Sequence, residues 1–157
     1  VTNKKPPHVL IVDDDSLILE ELAANFHMRG YDVTTASNGL EALIRLRDAP
    51  DVTVVLSDDQ MMGLDGQSLA RTIRRRWPDA NAVEVVILSA IMTDTTASRA
   101  HHDGAAFCLD KLVPMRRIAE FVQTAHEMAM KRRLGLAGPQ PGSTTDPGTR
   151  RGCQNRN

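Results

Sequence analysis

Carboxylates, a hydroxyl and an ammonium recur in this chain at one kind of place, the point where a short apolar run stops. HVLIV is followed by Asp13, Asp14 and Asp15, and VTVVLS by Asp58 and Asp59; VEVVILSA closes on Ser89-Ala90, and AAFCLD leads into Lys111. Each group alone has a bland explanation. The first acids could cap a helix and face its positive dipole end, the second pair could be loop acids, Ser89 could simply end a strand, and Lys111 could be a surface lysine. Their shared placement argues for a site. Crowded carboxylates repel, so their charge must be screened or protonated. A hard cation such as Mg2+, satisfied by one or two carboxylates and waters, does this and also clamps a phosphoryl group. A hydroxyl and a lysine opposite can hold the remaining phosphoryl oxygens. One carboxylate in that setting can attack phosphorus and become an aspartyl phosphate.

Those residues must be positioned by the elements around them. Five β-branched runs, at 8–13, 31–36, 52–58, 83–90 and 105–110, read as strands, and the nearly continuous apolar ones suit strands buried on both faces. Between them lie stretches with helical spacing: Ile18, Leu19, Leu22 and Phe26 within 15–29; Ala42, Leu43 and Leu46 within 38–48; Leu69, Ile73 and Trp77 within 66–77; and Ile118, Phe121, Val122, Ala125 and Met128 or Ala129 within 115–132. Segment 94–103 offers only alanines as apolar contacts, which predicts a short, weakly anchored helix. Gly30, Pro50, Pro78 and Gly104 punctuate the helix ends, and Asp15-Ser16 and Ser37-Asn38 are N-cap candidates. Strands alternating with helices imply an α/β fold: a flavodoxin-like (βα)5 doubly wound parallel sheet, strand order 2-1-3-4-5. Such folds bind ligands at the carboxyl ends of the strands, beside the switch between strands 1 and 3.

Composition narrows the class. The chain has 157 residues, 41% of them hydrophobic, with a formal charge of −1 from 19 basic and 20 acidic residues. That length suits one domain, and the charge balance argues against a globally basic nucleic-acid binder. No run approaches the roughly 18 apolar residues of a membrane span, and the N-terminus lacks the apolar core of a signal peptide. Cys108 and Cys153 form neither a disulfide framework nor a metal-ligand pattern, which points to the cytoplasm. Residues 135–157 hold half of the 10 glycines, no aromatic residue and a basic excess of Arg150, Arg151 and Arg156 over Asp146, so they read as a disordered tail. The expected division is an N-terminal extension at 1–7, a domain at 8–134 and the tail at 135–157, with no DNA-binding domain in this chain and the output in another protein or a portion lying beyond it.

The pieces VDDD (12–15), SDDQMMGLDG (57–66), LSA (88–90) and GAAFCLDK (104–111) resemble, in this order, the receiver domain of two-component response regulators, over residues 8–131. The resemblance implies that Asp58 is the phosphoacceptor, that Asp14 ligates Mg2+ directly, and that Asp13 acts mainly through a coordinated water. It also implies that the backbone carbonyl of Gln60 completes the metal site with Asp58. Ser89 and Lys111 would bind phosphoryl oxygens, and Asp65-Gly66 would shape the turn into the third helix. The phosphodonor would be a sensor histidine kinase or a histidine phosphotransfer protein. The face of helix 4, strand 5 and helix 5 would meet an output protein or a second copy in a homodimer. Asp59 has no role in the family pattern.

Three positions depart from it. Met62 stands where the family has proline. Leu112 follows the lysine where the family has a proline after a cis bond; a non-proline cis bond costs about 2.5–4 kcal/mol, so a trans bond is expected here. Cys108 occupies the place of an aromatic switch residue, with Phe107 on the opposite face of the strand. Signalling is therefore expected through loop 90–94 and helix 94–103. Two rival readings are an aspartyl-phosphate phosphatase, against which Gln60 stands where a general acid is common, and a receiver-fold scaffold that is never phosphorylated. His101 and His102, Arg74–Arg76 and Lys131–Arg133 read as solvated groups, and Met128 and Met130 as helix packing.

Overall fold

In a computed structural model, which describes residues 5–136, the chain forms a five-stranded sheet wrapped by helices. Cys153 and the expected tail from residue 137 onward lie outside the described residues, as do residues 1–4. The strands are β1 (His8–Val12), β2 (Asp32–Ala36), β3 (Val54–Asp58), β4 (Glu84–Ser89) and β5 (Phe107–Asp110). The helices are α1 (Ser16–Met28), α2 (Gly39–Asp48), α3 (Gly66–Arg76), α4 (Asp94–His102) and α5 (Met115–Arg133), with a short 3-10 turn at Asp79–Asn81. All pairings are parallel and the order is β2-β1-β3-β4-β5, as the alternating pattern predicts.

Alternation along each strand sorts the core into two halves. Leu10, Val12, Val55, Val85 and Ile87 face α2, α3 and α4, where Ala42, Leu46, Leu69, Ile73 and Ala100 meet them. Val9, Ile11, Val54, Leu56, Val86 and Leu88 face α1 and α5, which supply Phe26, Ile118, Val122 and Ala125. Burial of both sheet faces explains why the strands read as apolar runs. The expected contrast at β5 holds: Cys108 packs with the first half, Phe107 with the second. Helix α4 buries only Ala100, so it is held by little apolar surface, in keeping with its sequence.

Local signals set the helix ends. Asp15 accepts from the backbone N–H of Leu17 and Ile18, and Asn38 from that of Glu41. Glu41 in turn accepts from the N–H and the hydroxyl of Ser37, the residue before the cap, which ties the entering chain to the first turn. Gly30 and Gly104 follow the ends of α1 and α4 at φ of 82° and 99°, a region that disfavours any side chain.

The basic end of α5 corrects an expectation. Lys131 is exposed, but Arg132 is buried: it pairs with Glu84 at 2.7 Å and with Asp79 at 2.9 Å. Arg133 donates to the carbonyls of Pro50, Val52 and Ala82. The cause is Glu84, a carboxylate at the start of β4 that is only 2% exposed and needs a cation. These contacts fasten the last turn of α5 to the edge of the sheet opposite the acidic one. Met130 is exposed rather than packed, while Ala129 carries the stripe. Arg74–Arg76, His101 and His102 are exposed as expected.

Arg132→Met leaves Glu84 buried without its cation, so urea denaturation should show a loss of about 3 kcal/mol or more. Adding Glu84→Leu to Arg132→Met should recover most of that loss, because an apolar pair has no charge to desolvate.

Candidate functional site

Because the strands are parallel and in register, they deliver their last residues to one edge. Val12 lies beside Ser57, Asp58 beside Leu88, and Ser89 beside Asp110. The chain then turns outward, and Asp13, Asp14, Asp58, Asp59, Ser89 and Lys111 gather there, as expected. Asp13 is fixed by accepting the Asp15 backbone N–H at 2.9 Å. Asp13, Asp14 and Asp58 can each direct one oxygen to a common point, the three oxygens lying within 4.8 Å of one another. Lys111 places its ammonium 2.9 Å from Asp58 Oδ1 and 3.7 Å from Asp13 Oδ2.

The cluster is electrostatically unfinished. Two like charges 4 Å apart repel by about 4 kcal/mol near a protein surface. Lys111 offers one positive charge against three carboxylates. Burial, above all, raises the Asp13 carboxyl above the usual range, and the Asp58 and Asp14 carboxylates add to it; the Asp15 N–H and Lys111 oppose it only in part. Burial would lower the Lys111 ammonium, but its hydrogen bond to Asp58 and the charges of Asp13 and Asp58 outweigh this and hold it above its ordinary value. The donor set is all hard oxygen, which fits Mg2+.

The loop after β3 is held close to the sheet. Asp65 caps α3 by accepting the Ser68 N–H at 2.7 Å, and the Gly66 N–H donates to Asp59 O at 2.9 Å. A Cβ at Gly66 would lie 2.4 Å from the carbonyl oxygen of Asp58, so only glycine allows the first turn of α3 to approach this near. Gln60 follows in this loop and lines an open cleft of about 610 Å³ together with Asp14, Asp59, Ser89, Thr93 and Arg99. On the other side of the site the Lys111–Leu112 bond is trans, there being no cis bond among the described residues. The Leu112 N–H donates to Asp110 Oδ1 at 2.7 Å, which shapes this turn without a proline. Leu17, Met62, Ile91 and Leu112, from the segments following β1, β3, β4 and β5, are exposed at this edge.

Sequence reasoning missed one part. Asp59 is not a spare loop acid. Its carboxylate is buried and accepts from Gln67 Nε2 at 3.1 Å and from Ser89 Oγ at 3.2 Å. Strand parity could have found it: Asp59 and Ser89 follow Val55 and Ser57, and Val85 and Ile87, on the α3–α4 side. Asp58 and Lys111 extend the alternate set toward α1 and α5. Cys108 lies on the same side as Asp59; burial foremost, then the Asp59 charge, pushes its thiol up to about 11. It is therefore a neutral, unreactive group, in contact with Met92 at 3.6 Å.

Comparison with known proteins agrees with this geometry. The family model described as the response regulator receiver domain matches residues 9–123. The transcriptional regulatory protein GlrR of Escherichia coli (strain K12) is 33% identical over 125 residues, covering 80% of this chain and 27% of its own length. The chain thus spans about a quarter of that relative. The receiver domain of the Francisella response regulator 1452 aligns with a TM-score of 0.69 and 29% identity, over 78% of this chain and 98% of that one. A CheX–CheY–BeF3–Mg2+ complex from Borrelia burgdorferi aligns with a TM-score of 0.68 and 27% identity, over 76% and 88% of the two chains.

Asp13→Asn keeps the oxygen that accepts the Asp15 N–H but removes a charge. Since the folded-state pKa of Asp13 is raised, the native state binds its proton more readily than the unfolded chain does. The ionised Asp13 therefore costs stability once pH has risen through that folded-state pKa, and the cost fades as pH falls below the unfolded value. In metal-free buffer at pH 7, Asp13→Asn should raise the urea midpoint, and the gain should shrink toward pH 4.

Proposed function

The chain belongs to the response-regulator receiver domain family, and on that premise we propose that it is phosphorylated on Asp58, with Mg2+, and controls a partner through its phosphorylation state. The observation that carries this is the 2.9 Å contact of Lys111 with Asp58 beside the oxygens of Asp13 and Asp14. A carboxylate at the end of the central strand β3 sits between a fixed ammonium and a metal-compatible oxygen set.

The transfer balances simply. Lys111 engages Oδ1 of Asp58, leaving Oδ2 to attack phosphorus. As the P–O bond forms, the P–N bond of a phosphohistidine breaks and its electron pair stays on the imidazole. The product is an acyl phosphate on Asp58. Mg2+, when bound by Asp13, Asp14, Asp58 and the carbonyl of Gln60, supplies positive charge to the phosphoryl oxygens. Lys111 hydrogen-bonds one of those oxygens and Ser89 another. The donor is a sensor histidine kinase or a histidine phosphotransfer protein. It must bring its imidazole through a mouth edged by Leu17, Met62, Ile91 and Leu112, so it docks with apolar surface. The output is a separate protein, a second copy, or a module outside this sequence, reached through the α4–β5–α5 face.

Incubation with acetyl phosphate and Mg2+ should add the mass of one phosphoryl group to the intact chain. Asp58→Asn should add none, and omission of Mg2+ should cut the yield severely. An unmodified wild-type chain would favour a scaffold instead. Leu17→Ser and Leu112→Ser should slow transfer from a phosphohistidine protein several-fold while leaving the acetyl phosphate reaction unchanged.

A further inference from the structure

Ser89 carries one hydroxyl hydrogen, and its present partners are not at the phosphoryl site. Its Oγ lies 3.2 Å from Asp59 Oδ2 and 3.0 Å from the carbonyl of Ile91, and it accepts the Ile91 N–H at 3.3 Å. An ionised carboxylate is the stronger of the two acceptors. If the hydrogen turned to Ile91, two lone pairs would face each other across the Asp59 contact. Asp59 itself is held by Gln67 in the first turn of α3 and by its backbone N–H, which donates to Leu88 O. Among the described residues it makes no ion pair, so two neutral side chains, Gln67 and Ser89, satisfy this buried carboxylate.

We propose that Asp59 is a positioning residue that latches Ser89 in the resting state, coupling phosphorylation to release of the β4–α4 loop. This rests on the reading of Asp58 as phosphoacceptor. To donate to a phosphoryl oxygen on Asp58, Ser89 must withdraw its hydrogen from Asp59 and turn from the α3–α4 side of the sheet toward the other. The Ser89–Ile91 contacts carry that turn into the loop, and the loop leads to α4, in which Ala100 is the only buried residue. The broken link is the one joining this loop, through Asp59 and Gln67, to α3. Cys108 has no ring to swing, and the Asp59–Ser89 pair takes over the reporting role on the same side of the sheet.

A double-mutant cycle separates this from simple removal of charge beside the site. The probe is beryllofluoride with Mg2+, followed by backbone amide spectra. Asp59→Ala should tighten beryllofluoride binding about tenfold, the scale of a lost hydrogen bond to a charged group. Asp59→Asn, which keeps an acceptor and the side-chain shape, should tighten it about threefold, since neutral hydrogen bonds are roughly half as strong. In a Ser89→Ala background neither substitution should change it further. Equal gains in both backgrounds would assign the effect to charge and overturn the latch; so would the absence of a gain from Asp59→Ala when Ser89 is present. Without beryllofluoride, amide exchange at residues 90–96 should accelerate in Asp59→Ala, and unchanged exchange would also overturn it. A wild-type chain that takes no beryllofluoride would refute the phosphoacceptor reading, and the exchange measurement would still decide the latch.

Discussion

Too many carboxylates share too little solvent at one edge of the sheet, and much of the structure follows from that crowding. Folding brings Asp13, Asp14 and Asp58 within ligating distance and provides one ammonium, on Lys111. This arrangement costs stability in isolation, as the raised carboxyl of Asp13 records. It persists because the rest of the fold over-determines it. Parallel pairing in register sets the strand ends level, caps at Asp15 and Asp65 fix the following turns, and Gly66 lets α3 start against the backbone of Asp58. A divalent cation bound there would relieve the repulsion, so the strain of the resting site would become affinity for that ion.

The opposite edge is built the other way. There a buried carboxylate, Glu84, is neutralised by Arg132, and Arg133 collects three backbone carbonyls. One edge is compensated within the protein and gives rigidity; the other is left for a ligand to complete. Between them α4 contributes little to the core. An element with so few buried contacts is the one whose position can shift at small cost. It follows the loop that Ser89 contacts at Ile91, so the weakest helix and the proposed switch hydroxyl are neighbours.

The fold was legible because burial on both faces leaves a plain mark: apolar runs, alternating with helical stripes and closed by Gly30 and Gly104. The main site was legible for a related reason, since polar groups at the ends of such runs must share one edge. What stayed hidden depends on partners distant in sequence. Glu84 looks like a polar interruption of β4, and only the approach of α5, 48 residues away, makes Arg132 its counter-charge. Asp59 looks like a spare acid until parity and the 30-residue separation from Ser89 are considered together. The trans bond before Leu112 was predictable because it is a local cost, and Asp110 supplies the turn that proline supplies elsewhere.

The central claim is that these carboxylates are arranged to be completed by a divalent cation. Calorimetric titration of the unphosphorylated protein with Mg2+ tests it most directly. The account predicts saturable binding of one ion per chain, lost in Asp14→Asn and accompanied by a higher urea midpoint. Absence of binding heat, with a urea midpoint that Mg2+ does not move, would contradict it.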